Sequence, residues 1–146
     1  MVRNMHKKRS AFTLVELLIV IIIIAVLAAI AIPKFANQSQ RSKESALRAE
    51  LSLIRNAVEL FKNDCGSFPG TLDDLAGASA PANGKDSSGN NKAIIAADYK
   101  GPYLSKINVD PVSAAAFTYS VTSPTVGKVT SSASGNDSNG VAYSTY

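Results

Sequence analysis

Residues 7–35 read KKRSAFTLVELLIVIIIIAVLAAIAIPKF, and how this stretch is read decides the fold. Twenty-one positions, Phe12 to Ile32, are almost wholly apolar. At 1.5 Å per residue, about 20 apolar residues match the hydrocarbon thickness of a bilayer. Isoleucine and valine resist helix weakly in water, but in lipid the backbone has no other partner for its polar groups, so helix is close to obligatory. One carboxylate, Glu16, interrupts the run near its start. A charge held in lipid costs about 2.5–3.5 kcal/mol on insertion-based scales, so Glu16 requires a partner.

The charge balance outside this stretch narrows the classes of function. The 146-residue chain has a net charge of +4, but Arg3, Lys7, Lys8 and Arg9 carry that surplus. From Phe12 onward eleven basic residues face eleven acidic ones, so the body calls for no polyanionic partner such as nucleic acid. A short basic segment before an apolar helix holds that end in the cytoplasm during insertion. Cys65 is the only cysteine, which excludes an intrachain disulfide and a thiolate metal cluster. It reads either as a small half-buried side chain at a helix end or as one half of an intermolecular bridge.

Beyond Ile32 the pattern changes from continuous to periodic. Leu47, Leu51, Ile54, Val58 and Phe61 recur at alternating spacings of four and three, the stripe of an amphipathic helix. Ala46, Leu53, Ala57 and Leu60 are expected to widen it. Glu44 with Arg48, and Arg55 with Glu59, are opposite charges four apart and read as pairs on a solvated face. Gly66 supplies the stop. The two halves predict one helix from Phe12 to about Asn63, about 52 residues and close to 78 Å long. Pro33 lies inside it, where the lost N–H and the ring both disturb the carbonyl of Ala29. It reads as a membrane boundary marker or as a hinge.

A secretory signal peptide is the rival reading of the first residues, with a small-x-small site at Ala29-Ile30-Ala31 and a soluble binding module released after Ala31. Against it stand Glu16 at the mouth of the apolar run and the helical continuation past Ile32.

The basic leader KKRSA, the run FTLVELL and the apolar stretch closed by Pro33 together resemble the type IV pilin and type II secretion pseudopilin superfamily. The resemblance implies that a prepilin peptidase cuts between Ala11 and Phe12 and that Phe12 is then N-methylated. The retained helix would anchor the subunit in the bacterial inner membrane, single-pass with a cytoplasmic N-terminus. An assembly platform with its ATPase would later draw it from the lipid into a helical filament of identical subunits, a periplasmic pseudopilus or an extracellular pilus. The family has glycine before the cut where this chain has Ala11, the smallest possible change. Cleavage frees an α-amino group with a pKa near 8, on the same helix face as Glu16. The resemblance assigns Glu16 to subunit assembly, pairing with the amine of a neighbour. The alternative is a glutamate that snorkels to the headgroups.

The remaining residues predict an α+β protein: the long N-terminal helix carries a small head with a three-stranded antiparallel sheet. The expected division is a leader at 1–11, a transmembrane and filament-core helix at 12–33, an amphipathic half at 34–65 and the head at 66–146. GSFPGTLDDLAG reads as a loop and a short helical turn, with Thr71 and Asp74 as a capping box and Leu72 and Leu75 inward. GASAPANGKDSSGNNK reads as a flexible surface loop, and DYKGPYLSKINVDP as an irregular segment across the helix stripe. AFTYSV, TVGKVTS and GVAYSTY alternate like strands. The segments FPGTLDDL and YKGPYLSKINVDP are similar to the head of the major pseudopilins, and those proteins bind calcium in a loop near the C-terminus. The comparable loop here, SSASGNDSNG, offers one carboxylate, Asp137, whereas calcium takes six to eight oxygens. The body contains no histidine, and no base with an orienting partner, phosphate loop or metal-ligand cluster is evident, so no enzyme is expected.

Overall fold

The structure is a computed structural model and describes residues 12–146. Ala11 and the basic leader lie outside the described residues. Helix α1 runs Leu14–Cys65, 52 residues with Pro33 inside, which agrees with the expected helix to within two residues at each end. It ends where Gly66 turns into the left-handed region at φ 64° and its N–H bonds the Lys62 carbonyl at 2.8 Å. Without a Cβ, glycine adopts that conformation freely. The chain divides into two compact units between Gln38 and Ser39.

In the second unit, Leu47, Leu51, Ile54, Val58 and Phe61 of α1 are fully buried, with Ala57 and Cys65 beside them. Their partners are Leu75, Leu104, Phe117, Val129 and Tyr143. Leu53 and Leu60 remain half exposed, and Ala46 is exposed too, so the stripe is narrower than expected. The helical repeat accounts for this: at about 100° per residue these positions stand more than a quarter turn from the centre of the stripe, whereas Ala57 does not.

The short 3-10 turn Leu72–Leu75 forms as read, with Leu75 buried and the Asp74 carboxylate accepting the Thr71 N–H at 2.8 Å. Tyr103 and Leu104 donate their backbone N–H groups to the Leu75 carbonyl, which lays the 99–104 segment across α1. There Tyr99 and Tyr103 meet Phe61 edge-on at 6.0 and 5.7 Å between ring centres. Further along, buried Asp110 takes the N–H groups of Val112, Ser113 and Ser132 and the Ser131 hydroxyl. Four donors make ionisation of a buried carboxylate tolerable, and they hold its pKa below the usual range despite burial.

The sheet differs from expectation. Strands β1 (Asn83–Lys85) and β2 (Asn91–Ala93) form one antiparallel pair, and β3 (Thr118–Tyr119) and β4 (Val129–Thr130) form another. The first hairpin falls, but for Ala93, in the stretch expected to be a flexible loop. Asp86 builds its turn by accepting the N–H groups of Ser88 and Asn90 at 2.8 and 2.9 Å. The third expected strand is absent among the described residues. GVAYSTY instead makes a single bridge, Ala142 to Asn136, and a 3-10 turn at Tyr143–Thr145. Its tyrosine hydroxyls find polar partners on α1, Tyr143 at Glu44 and Tyr146 at Arg48, and that tertiary pull outweighs strand propensity.

Candidate assembly site

Glu16 lies in the first unit, and a polar cluster around Glu44 and Arg48 lies in the second. In the first unit every large apolar side chain from Phe12 to Ile32 is exposed. A helix apolar on all sides is stable within lipid or among other apolar helices, and this is the one helix among the described residues long and apolar enough to cross a membrane. Glu16 stands in its first turn, where the positive end of the helix dipole favours an acid. One carboxylate oxygen, Oε2, accepts the Thr13 N–H at 2.9 Å and the Thr13 hydroxyl at 2.8 Å, while the Glu16 N–H donates to Thr13 Oγ1 at 3.2 Å. This is a reciprocal capping box. Thr13 is a partner beyond the expected amine, and the Thr-x-x-Glu spacing is its signature in the sequence. Among the described residues Oε1 accepts no hydrogen bond, so half of the carboxylate stays open to a cation. Pro33 sits in α1 as expected and is exposed.

The second cluster corrects the reading of α1's charges as a solvated face. Glu44 is only 3 % exposed and accepts the Ser138 N–H at 3.0 Å, the Ser138 hydroxyl at 2.6 Å and the Tyr143 hydroxyl at 3.0 Å. The Gln40 amide in turn donates to the Tyr143 hydroxyl at 2.8 Å. One turn along, Arg48 Nη2 donates to Asp137 Oδ2 at 2.8 Å and to the Tyr146 hydroxyl at 2.5 Å. Arg55 donates through two nitrogens to the Val129 carbonyl. Neither expected i,i+4 ion pair forms among the described residues: Glu44, Arg48 and Arg55 find distant partners, and Glu59 lies 3.8 Å from Lys62, three residues on. Cys65 is free and buried, and burial pushes its thiol above the usual range, which suppresses its reactivity.

Asp137 does not fit a calcium ion. Its Oδ1 accepts the N–H groups of Asn139 and Val141, both at 2.8 Å, and its Oδ2 accepts Arg48 and the Tyr146 hydroxyl. A carboxylate offers about four lone-pair sites, and here donors hold them all. No group of three or more metal-ligating side chains occurs among the described residues.

The same donors, the Tyr146 hydroxyl foremost and the Val141 and Asn139 N–H groups after it, hold the Asp137 pKa down to about 2 against the effect of burial. A depressed folded-state pKa means that the stabilisation is complete above the unfolded value of about 3.9 and disappears as pH falls through the folded one. The loop is therefore predicted to stay closed down to about pH 4 and to loosen toward pH 2. Removing the principal donor with Tyr146→Phe raises the Asp137 titration midpoint, as followed by carboxyl-carbon NMR, and an unchanged midpoint would contradict this assignment.

The described residues thus combine an all-round apolar helix, long and apolar enough to cross a membrane and with a lone capped acid in its first turn, with a small α+β head. Residues 6–32 match the prokaryotic N-terminal methylation motif, and residues 34–142 match the model of type II secretion system protein G. The chain belongs to the type II secretion system protein G family, and it is a prepilin-like structural subunit, not an enzyme, of the kind that builds type II secretion pseudopili or type IV pili. It is 27 % identical over 106 residues to the type II secretion system core protein G of Pseudomonas aeruginosa, covering 73 % of this chain and 70 % of that one. It is also 36 % identical over 104 residues to the type IV major fimbrial protein FimA of Dichelobacter nodosus, covering 66 % of this chain and 65 % of the relative, just under two thirds. The type IV major pilin PilA of Myxococcus xanthus is 42 % identical over 60 residues, 41 % of this chain and 27 % of its own length. No solved structure matches the chain.

Proposed function

We propose that prepilin peptidase cuts this subunit before Phe12 on the cytoplasmic side, that Phe12 is then N-methylated, and that a platform with its ATPase polymerises it into a filament. Residues 12–33 form the membrane anchor and later the filament core, and residues 66–146 form the head. Pro33, which removes the bond to the Ala29 carbonyl, is the place where the helix bends on passing from lipid to filament. The observation that carries the reading is Glu16, half satisfied by Thr13 and half open, at the start of an apolar helix with no covering of its own. In the filament, the open oxygen meets the amine of a neighbour's Phe12. The two charges neutralise each other in a medium where either alone is costly, and the match sets the axial stagger of each addition.

The filament is a periplasmic pseudopilus, a reading supported by the protein G match across 34–142. A surface pilus is the second reading, favoured by the 36 % identity to a major fimbrial protein. Immunogold electron microscopy against the head separates them at native expression. The pseudopilus reading expects label confined to the envelope, whereas micrometre-scale labelled fibres in the sheared surface fraction would establish the pilus. Absence of any polymer in either fraction would contradict both.

A further inference from the structure

Glu44 and Arg48 stand one helical turn apart on α1, close enough to pair with each other, yet each grips the 135–146 loop. The acid takes donors from Ser138 and Tyr143, and the guanidinium gives to Asp137 and Tyr146. The guanidinium also lies over the Tyr146 ring, 5.0 Å from its centre. Asp137 is the node of the loop. Its own N–H bonds the Val141 carbonyl and its carbonyl takes the Gly140 N–H, so the turn closes around the carboxylate. Asn139 Nδ2 adds a long contact to Oδ2 at 3.4 Å. The Asp137 side chain is fully buried, whereas that of Arg48 is about half exposed.

We infer that Arg48 is the built-in cation of this loop, taking the place of the divalent ion that the resemblance to major pseudopilins implies, so that the loop closes without calcium. A buried carboxylate is held ionised by a positive partner or by enough hydrogen-bond donors, and Asp137 has both. A metal would approach through the lone pairs now held by two backbone N–H groups, a phenol and a guanidinium. Arginine is always protonated, and one Nη2 here serves two acceptors at once. Its attachment to α1 makes its presence independent of ion concentration and of chelators.

The test uses the full chain in detergent micelles and reads the thermal midpoint together with amide exchange at Asn139 and Val141, the two N–H groups that bond Asp137 Oδ1. Wild type is expected to give the same midpoint and the same exchange in EGTA as in about 1 mM calcium, a concentration that fills extracellular calcium modules. Arg48→Met keeps the apolar stem and removes the charge. It is expected to lower the midpoint by several degrees and to speed exchange at both amides at least tenfold, equally in both media. Arg48→Lys, which keeps charge without the planar fork, should fall between them. A wild-type midpoint that rises by several degrees with calcium, as binding to the folded state alone would cause, overturns the inference. So does wild-type exchange at those two amides in Arg48→Met, or in Arg48→Lys should the methionine variant not fold.

Discussion

Glu16→Val subunits are expected to accumulate in the membrane at the wild-type level or above it, yet to enter filaments at least tenfold less often than wild-type subunits expressed beside them. The substitution removes a charge whose placement in lipid costs about 2.5–3.5 kcal/mol, so insertion improves. It also removes the carboxylate that a neighbour's amine would meet, which leaves that amine charged and unpartnered in an apolar filament core. A tenfold loss corresponds to about 1.4 kcal/mol, a modest demand on an ion pair taken out of water. Because Glu16 also accepts the Thr13 N–H, Glu16→Val loosens the first turn as well, by about 0.5–1.5 kcal/mol for the lost hydrogen bond, although the Thr13 hydroxyl still caps the N–H of residue 16. Glu16→Gln separates the two effects, since its amide oxygen still accepts from Thr13 while its charge is gone. If charge pairing drives assembly, the glutamine variant is excluded like the valine one. Glutamine subunits that incorporate normally would assign the role of Glu16 to capping.

Phe61→Ala is expected to bring the head close to unfolding. Phe61 is fully buried, is packed edge-on by Tyr99 and Tyr103, and anchors the 99–104 segment to α1. Truncating a buried phenylalanine costs about 3–5 kcal/mol through lost transfer energy and the cavity left behind. Domains have only about 5–15 kcal/mol to lose, so the thermal midpoint should fall by roughly 10 °C or more. Leu60→Ala, at the adjacent half-exposed position, should stay within about 1 kcal/mol of wild type. Circular dichroism melts of the two variants in micelles test the narrow stripe directly, and equal losses would mean that the boundary of the core is misplaced.

The elements legible in the sequence were those whose signal is periodic or local. The apolar run and the four-three spacing from Leu47 to Phe61 marked α1, and Gly66 marked its end. Thr71 and Asp74 marked the short turn. What escaped were contacts between residues far apart in the chain. Glu44 reaches Tyr143 and Arg48 reaches Asp137 across separations of 99 and 89 residues, and such contacts leave no trace in spacing. An i,i+4 pair of opposite charges looks the same whether it faces water or a loop. Asp110, at the centre of four donors, was similarly hidden in a stretch read only as irregular. The β1–β2 hairpin was concealed by composition, since Asn, Gly and Lys seldom build strands and the Asp86 turn does the organising. GVAYSTY had the residues of a strand, but the hydroxyls of Tyr143 and Tyr146 found acceptors on α1 and on Asp137. At the candidate assembly site, Glu16 was conspicuous because a charge in an apolar run is costly. Its cap is legible too, in the Thr-x-x-Glu spacing of Thr13 and Glu16.

Mass spectrometry of the polypeptide recovered from purified polymer tests the central claim most directly, because the free amine exists only after cleavage before Phe12. The account predicts a single species beginning with N-methylated Phe12, its apolar helix retained. Polymer built from chains that still carry Ala11 and the residues before it, or a mature protein that begins at Ile32, would contradict it.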